Sequence, residues 1–120
     1  MTKRRKRAEA RGRWAEWLAA WSYRLRGFRV VAARYRTPVG EIDLVVRRGR
    51  LLVFVEVKAR ATLDDALTAI GPVQRQRMAR AAEAFLCHHP VHVTCTMRFD
   101  LIGIQPWRLP HHVADAWRLG

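Results

Sequence analysis

The 120-residue sequence predicts an α/β domain, a mixed central β-sheet flanked by helices, and three observations carry that prediction. Apolar residues recur at helical spacing before Gly27 and after Pro72. Two stretches, Gly40 to Lys58 and Val91 to Ile104, alternate with a period of two instead. Half of the residues are hydrophobic, enough to build one core around one sheet at this length.

Each element follows in order. Met1 to Arg13 holds seven basic residues and one acid, and residues 1–7 read as a disordered basic arm, leaving residues 8–120 as a single domain. From about Ala8 to Arg26, Trp14, Trp17, Leu18, Trp21 and Leu25 fall at steps of three and four, an amphipathic helix stopped by Gly27. Phe28 to Tyr35 is rich in β-formers and predicts a first strand ending near Thr37-Pro38. Thr62, followed by Asp64 and Asp65, caps a short helix over Leu63 to Ile70, which Gly71-Pro72 breaks. Pro72 opens a second long helix to about Leu86, with Val73, Met78, Ala81, Ala82, Phe85 and Leu86 inward and Arg75, Arg77 and Arg80 outward. His88-His89-Pro90 ends it. Val91 to Ile104 reads as a further strand, and the tail from Pro106 as Trp107 followed by a helical patch over Val113 to Leu119.

The hairpin from Gly40 to Lys58 is the most informative part. Ile42, Leu44 and Val46 point to one side, opposite Glu41, Asp43 and Val45; on the return strand Glu56 and Lys58 share a face with Leu52 and Phe54. A two-residue loop at Gly49-Arg50, glycine first as a type II′ turn demands, sets Asp43 opposite Glu56 and Glu41 opposite Lys58. A three-residue loop would set Asp43 opposite Val55 instead. Facing carboxylates about 5 Å apart between Cβ atoms repel, so a positive partner is expected between them. Mg²⁺ is the economical choice, since it binds one or two carboxylates together with phosphate and water. Lys58 adds to the pattern: the chain has 20 Arg and 3 Lys, and the other two lysines, Lys3 and Lys6, lie in the arm. A compact ammonium suits an attacking water or one phosphate oxygen better than a guanidinium fork does. Chance, or a Glu41–Lys58 ion pair at a sheet end, is the plainer account of it.

The formal charge of +13 points to a polyanionic partner, nucleic acid before membrane. A G+C-rich coding sequence accounts for arginine over lysine but less well for the surplus of both over acids. No run approaches the roughly 18 apolar residues of a membrane span, and the basic start lacks the apolar core of a secretory signal. Cys87 and Cys95 form no framework and no CxxC pair, which fits a reducing cytoplasm.

GEIDLVV (Gly40 to Val46), VFVEVKAR (Val53 to Arg60) and MRFDLI (Met97 to Ile102), with AEW (Ala15 to Trp17) upstream, closely resemble the YraN-like family of small bacterial proteins, placed in the restriction-endonuclease-like PD-(D/E)xK superfamily. The resemblance covers about Gly12 to Trp117. It implies a restriction-endonuclease-like core and metal-assisted hydrolysis of phosphodiester bonds, with DNA favoured over RNA and branched or structured DNA as one substrate class. It matches Asp43 and Glu56 to the metal-binding acids, with the Val57 carbonyl as a third ligand for Mg²⁺ or Mn²⁺, and Lys58 to the motif lysine. Glu16 matches an additional acid and Gln74 a position that touches phosphate or water. Arg60, Arg75 and Arg77 are the candidate nucleic-acid contacts. Ile42-Asp43 replaces the superfamily's Pro-Asp without loss of a ligand. A fold does not settle an activity, so a noncatalytic nucleic-acid-binding protein and a protein-interaction module stand as alternatives.

Plainer readings stand beside several of these residues. Glu16 fits a solvated helix position as readily as a groove-facing acid. Gln74 fits a helix-end contact to backbone, and Arg98 and Asp100 fit a structural pair. Cys87, His88, His89, His92 and Cys95 lack a metal-ligand spacing and read as a helix-ending turn. Three tryptophans on one helix are more than one small core need absorb, which leaves room for an exposed patch and a homodimer.

Overall fold

The computed structural model describes residues 3–117. Helix α1 (Lys3–Leu25) leads into strands β1 (Arg29–Thr37), β2 (Gly40–Arg48) and β3 (Leu51–Ala59), then helices α2 (Leu63–Thr68) and α3 (Pro72–His88), a 3-10 turn (Pro90–His92), and strands β4 (Thr96–Ile104) and β5 (His111–Trp117). The strands stand in chain order in one five-stranded sheet. Neighbours are antiparallel except β3 and β4, which run parallel because α3 carries the chain back across the sheet. This is the expected mixed sheet flanked by helices, compatible with a nuclease-like core.

Two apolar layers hold the helices to the sheet. On one face Met78, Ala81, Ala82 and Phe85 of α3 lie on Ile42, Val45, Leu52, Phe54, Phe99 and Leu101. On the other, Ala15, Ala19, Ala20 and Tyr23 of α1 lie on Leu44, Val46, Val53, Val55 and Ile102. Helix α1 therefore buries a different stripe from the one its tryptophans suggest. Trp14, Trp17 and Trp21 are 59%, 51% and 45% exposed. The sheet beneath is already filled by branched aliphatic side chains, and alanines let the helix lie close on it where indoles would hold it off. Helix α3 also approaches closely: a Cβ on Gly40 would run into the carbonyl of Arg77.

Three boundaries differ from expectation. Helix α1 begins at Lys3, with only Met1 and Thr2 of the expected arm outside the described residues. Val91 and Val93 are exposed in a turn, and β4 starts only at Thr96. Pro90 has no N–H to give a ladder, and His92 tucks beneath Phe85 with its Nδ1 2.8 Å from Arg47 Nη1. The expected helical patch at the end is strand β5, its last expected residues lying beyond Trp117. The open edge of β4 offers backbone partners that a short isolated helix lacks, and Trp117 stacks on Phe99 at 5.6 Å.

Candidate active site

The hairpin forms in the expected register. Gly49 has φ 59°, and Leu44 faces Val55, Val46 faces Val53 and Arg48 faces Leu51. The ladder stops at Leu44 and Val55, one residue short of the acids. Beyond it β2 changes sides: Leu44 and Val46 join the α1 layer, whereas Ile42 joins the α3 layer, so the expected sharing of one face by these three residues ends at Asp43. Asp43 sits at this twist, and its Oδ2 accepts the Val57 N–H at 2.8 Å in place of a backbone carbonyl of β2. The carbonyl of Val57 leaves the strand on the same edge as its N–H, as in any strand residue. The expected pairing of Glu41 with Lys58 does not form. Glu41 turns outward toward Arg36 at 3.7 Å, and Lys58 Nζ lies 3.1 Å from Glu56 Oε1.

Although they are not ladder partners, Asp43 and Glu56 lie close enough for the charge of Glu56 to raise the proton affinity of Asp43. Glu56 is 5% exposed, and its Oε1 also accepts from Gln74 Nε2 at 2.7 Å, from the first turn of α3. Burial pushes the Asp43 carboxyl well above the usual carboxylate range; the charge of Glu56 raises it further, the Val57 N–H opposes, and Glu16 adds to the rise. Burial raises Glu56 as well, against the pull of Lys58. One lysine thus stands against two acids, Glu56 buried and Asp43 half-buried, and the protein holds this corner short of positive charge.

The other predicted residues divide. Glu16 lines a cleft that Val57 and Lys58 also line but Asp43, Glu56 and Gln74 do not, and its Oε2 accepts from Arg34 Nε at 2.6 Å. Arg60 lines the cleft beside Lys58. Arg75 lies over the Trp117 ring at 5.7 Å and Arg77 is exposed on α3, both outside the cleft lining. Arg98 and Asp100 pair with each other, Nε to Oδ1 at 2.8 Å. His89 is the C-cap of α3, as the plainer reading of the cysteine and histidine cluster expects. Among the described residues no three His, Cys, Asp or Glu side chains converge, so a metal here would rest on two carboxylates and a carbonyl.

The cleft holds about 1190 Å³ between α1 and the ends of β3 and β4. Its far wall is the loop Gln105–Leu109, whose Trp107 and Arg108 went unassigned from sequence. The available signal was an aromatic and a cation, Trp107-Arg108, between Pro106 and Pro110.

Residues 15–104, which include Asp43, Glu56, Lys58 and Gln74, match the model of the Uncharacterised protein family UPF0102. The chain belongs to this family. It is the YraN-like family that the GEIDL and FVEVK motifs resemble. UPF0102 protein amb4503 of Paramagnetospirillum magneticum is 50% identical over 116 residues, 93% of this chain and 90% of its own. UPF0102 protein Mmar10_3014 of Maricaulis maris is 52% identical over 118 residues, 98% of this chain and 92% of its own. A UPF0102 protein of Rhodopseudomonas palustris is 55% identical over 92 residues, 77% of this chain and 68% of its own. Among the described residues no helix is long and apolar enough to cross a membrane.

Proposed function

We propose that this UPF0102 chain is a Mg²⁺- or Mn²⁺-dependent nuclease that hydrolyses DNA phosphodiester bonds, branched or structured DNA included. The observation that carries the reading is the Asp43–Glu56 pair: neighbouring carboxyls, Glu56 buried and Asp43 half-buried, whose proton affinity is raised first by burial, which the nearby Val57 N–H and Lys58 only partly oppose. Paired acids that a fold leaves under-compensated beside a cleft are a mark of function. A divalent cation fits the donor set, which is oxygen throughout: the Asp43 and Glu56 carboxylates and the Val57 carbonyl. When bound it would polarise a phosphoryl oxygen and acidify a water.

The chain's own groups do the rest. The Val57 N–H fixes the Asp43 carboxylate at 2.8 Å, and Gln74 holds Glu56 at 2.7 Å, so neither acid is free to swing out of the site. Lys58 orients the attacking water and offsets charge building on the phosphoryl oxygens, a task its compact ammonium suits. Arg60, in the same cleft, takes an adjacent phosphate. The net charge of +13 supports a polyanionic substrate, and the two free cysteines suit action in the reducing cytoplasm.

Titration calorimetry with Mg²⁺ and Mn²⁺, on the wild type and on Asp43→Asn and Glu56→Gln, tests this together with cleavage of labelled duplex, single-stranded and four-way-junction DNA. Binding and cleavage both lost in the variants is the expected result. No metal binding at millimolar concentration and no cleavage would overturn it. One observation favours a second reading, a noncatalytic DNA-binding protein: Glu16, the additional acid, is already committed to Arg34. In that case Glu56→Gln leaves DNA affinity unchanged and there is no cleavage to lose.

A further inference from the structure

The cleft that starts at Lys58 is built for more than a phosphate. Its two walls carry Trp14 on α1 and Trp107 on the loop between β4 and β5, and its cations are Lys58, Arg60 and Arg108. Trp107 is 103% exposed and Leu109 beside it 89%. Trp107 also holds φ at 61°, a conformation that a bulky residue rarely adopts and that strained functional loops do. On the opposite wall Trp14 is braced from behind by Trp17, the two rings stacked at 4.9 Å, and Trp17 in turn meets Trp21 edge-on at 6.2 Å. An exposed aromatic ladder of this kind costs solvation and contributes nothing to the core, which α1 makes with alanines and Tyr23.

We infer that this cleft is a stacking site for unpaired DNA bases, Trp14 and Trp107 taking base faces while Lys58, Arg60 and Arg108 track the backbone toward Asp43 and Glu56. The inference rests on the nuclease reading and names its substrate: DNA with a single-stranded segment next to the bond that is cut. Charge decides between this occupant and a second copy of the chain. Arg13 and Arg24 are exposed at the two ends of the tryptophan stripe, and Arg24 lies over the Trp21 ring at 5.3 Å. Two copies meeting on this face would bring arginines together, whereas a polyanion is drawn to the same array. Aromatic platforms interleaved with cations are how proteins hold single strands without reading sequence. The one acid in the cleft, Glu16, is held by Arg34 at 2.6 Å.

The test is binding in the presence of chelator, so that cleavage plays no part. Dissociation constants for an oligo-dT strand, a forked duplex and a blunt duplex are measured by fluorescence anisotropy for wild type, Trp14→Ala, Trp107→Ala and Trp107→Phe. Each alanine variant should weaken strand and fork binding about tenfold, a typical loss for one base–aromatic stack. Blunt-duplex affinity and the salt dependence should stay put, since no phosphate contact is removed. Trp107→Phe should keep most of the affinity. Unchanged strand binding in both alanine variants would overturn the inference, as would equal losses on the blunt duplex. A concentration-dependent dimer in sedimentation that Trp14→Ala abolishes, with strand binding intact, would overturn it in favour of a second copy. If wild type cuts no DNA but strand binding still depends on Trp14 and Trp107, the nuclease reading fails and the stacking site stands.

Discussion

Asp100, fully buried, and the Asp43–Glu56 pair, one acid buried and one half-buried, are two carboxylate sites in the same sheet that received opposite treatment. Asp100, fully buried on β4, accepts from Tyr23 at 2.8 Å, Arg98 at 2.8 and 3.0 Å, His112 at 2.7 Å and the Asp115 N–H at 2.9 Å. Burial by itself raises its pKa, but His112, Arg98, the Asp115 amide and Tyr23 together bring it down to about 2. Asp43 has one backbone N–H and a neighbouring acid, and moves the other way. Burial is common to both sites; the difference lies in the number of donors and cations supplied. Saturation with partners keeps a buried carboxylate charged, and a shortage of them favours its protonated form.

The largest effect should come from breaking the saturated site. Asp100→Ala leaves Arg98 and the Tyr23 hydroxyl facing an apolar gap and should cost about 3–5 kcal/mol of stability, read as a lower urea midpoint with an unchanged slope. At the other site the sign reverses. Asp43→Asn removes a like-charge contact and should raise the stability of the metal-free protein by about 1 kcal/mol at neutral pH. The proposed metal site predicts that Mg²⁺ should raise the melting temperature of the wild type and leave that of this variant unchanged.

The pH dependence sharpens the contrast. With raised carboxyls the native state holds more protons than the unfolded chain, so metal-free wild type should lose stability as pH climbs from about 4 toward neutral, and Asp43→Asn should flatten that slope. The depressed Asp100 acts in the acid range: its contribution is complete above about pH 4 and is lost as pH falls toward about 2. Urea melts at a series of pH values separate the two. The smallest effect belongs to Glu16→Gln, which breaks a half-exposed pair with Arg34 worth about 0–1 kcal/mol and slightly eases the proton affinity of Asp43.

The hairpin register was legible because Gly49 dictates its own turn, and a turn sets the pairing of everything near it. The side-switch at Asp43 was not, because it depends on β2 leaving β3 at Leu44 while staying paired with β1 as far as Gly40, which lays Ile42 on the α3 layer. The tryptophan periodicity showed a helix but not which face it buries, since Ala15, Ala19 and Tyr23 carry an equally good spacing and only the filled sheet beneath selects them. Strand β5 was misread because a short apolar run has no decisive period until β4 offers it an edge.

Sequence alone determined the motif residues, their strand alternation, the surplus of positive charge and the family. It named Asp43, Glu56 and Lys58, but a carboxyl in a sequence has only its ordinary proton affinity. The hairpin turn already set Asp43 near Glu56; the tertiary structure decided that Asp100 would meet Tyr23 from 77 residues away and that burial would raise the proton affinity of Asp43. Desolvation and charge proximity are sums over neighbours in space, and those neighbours come from α1, β5 and α3, which the local sequence around either acid does not contain.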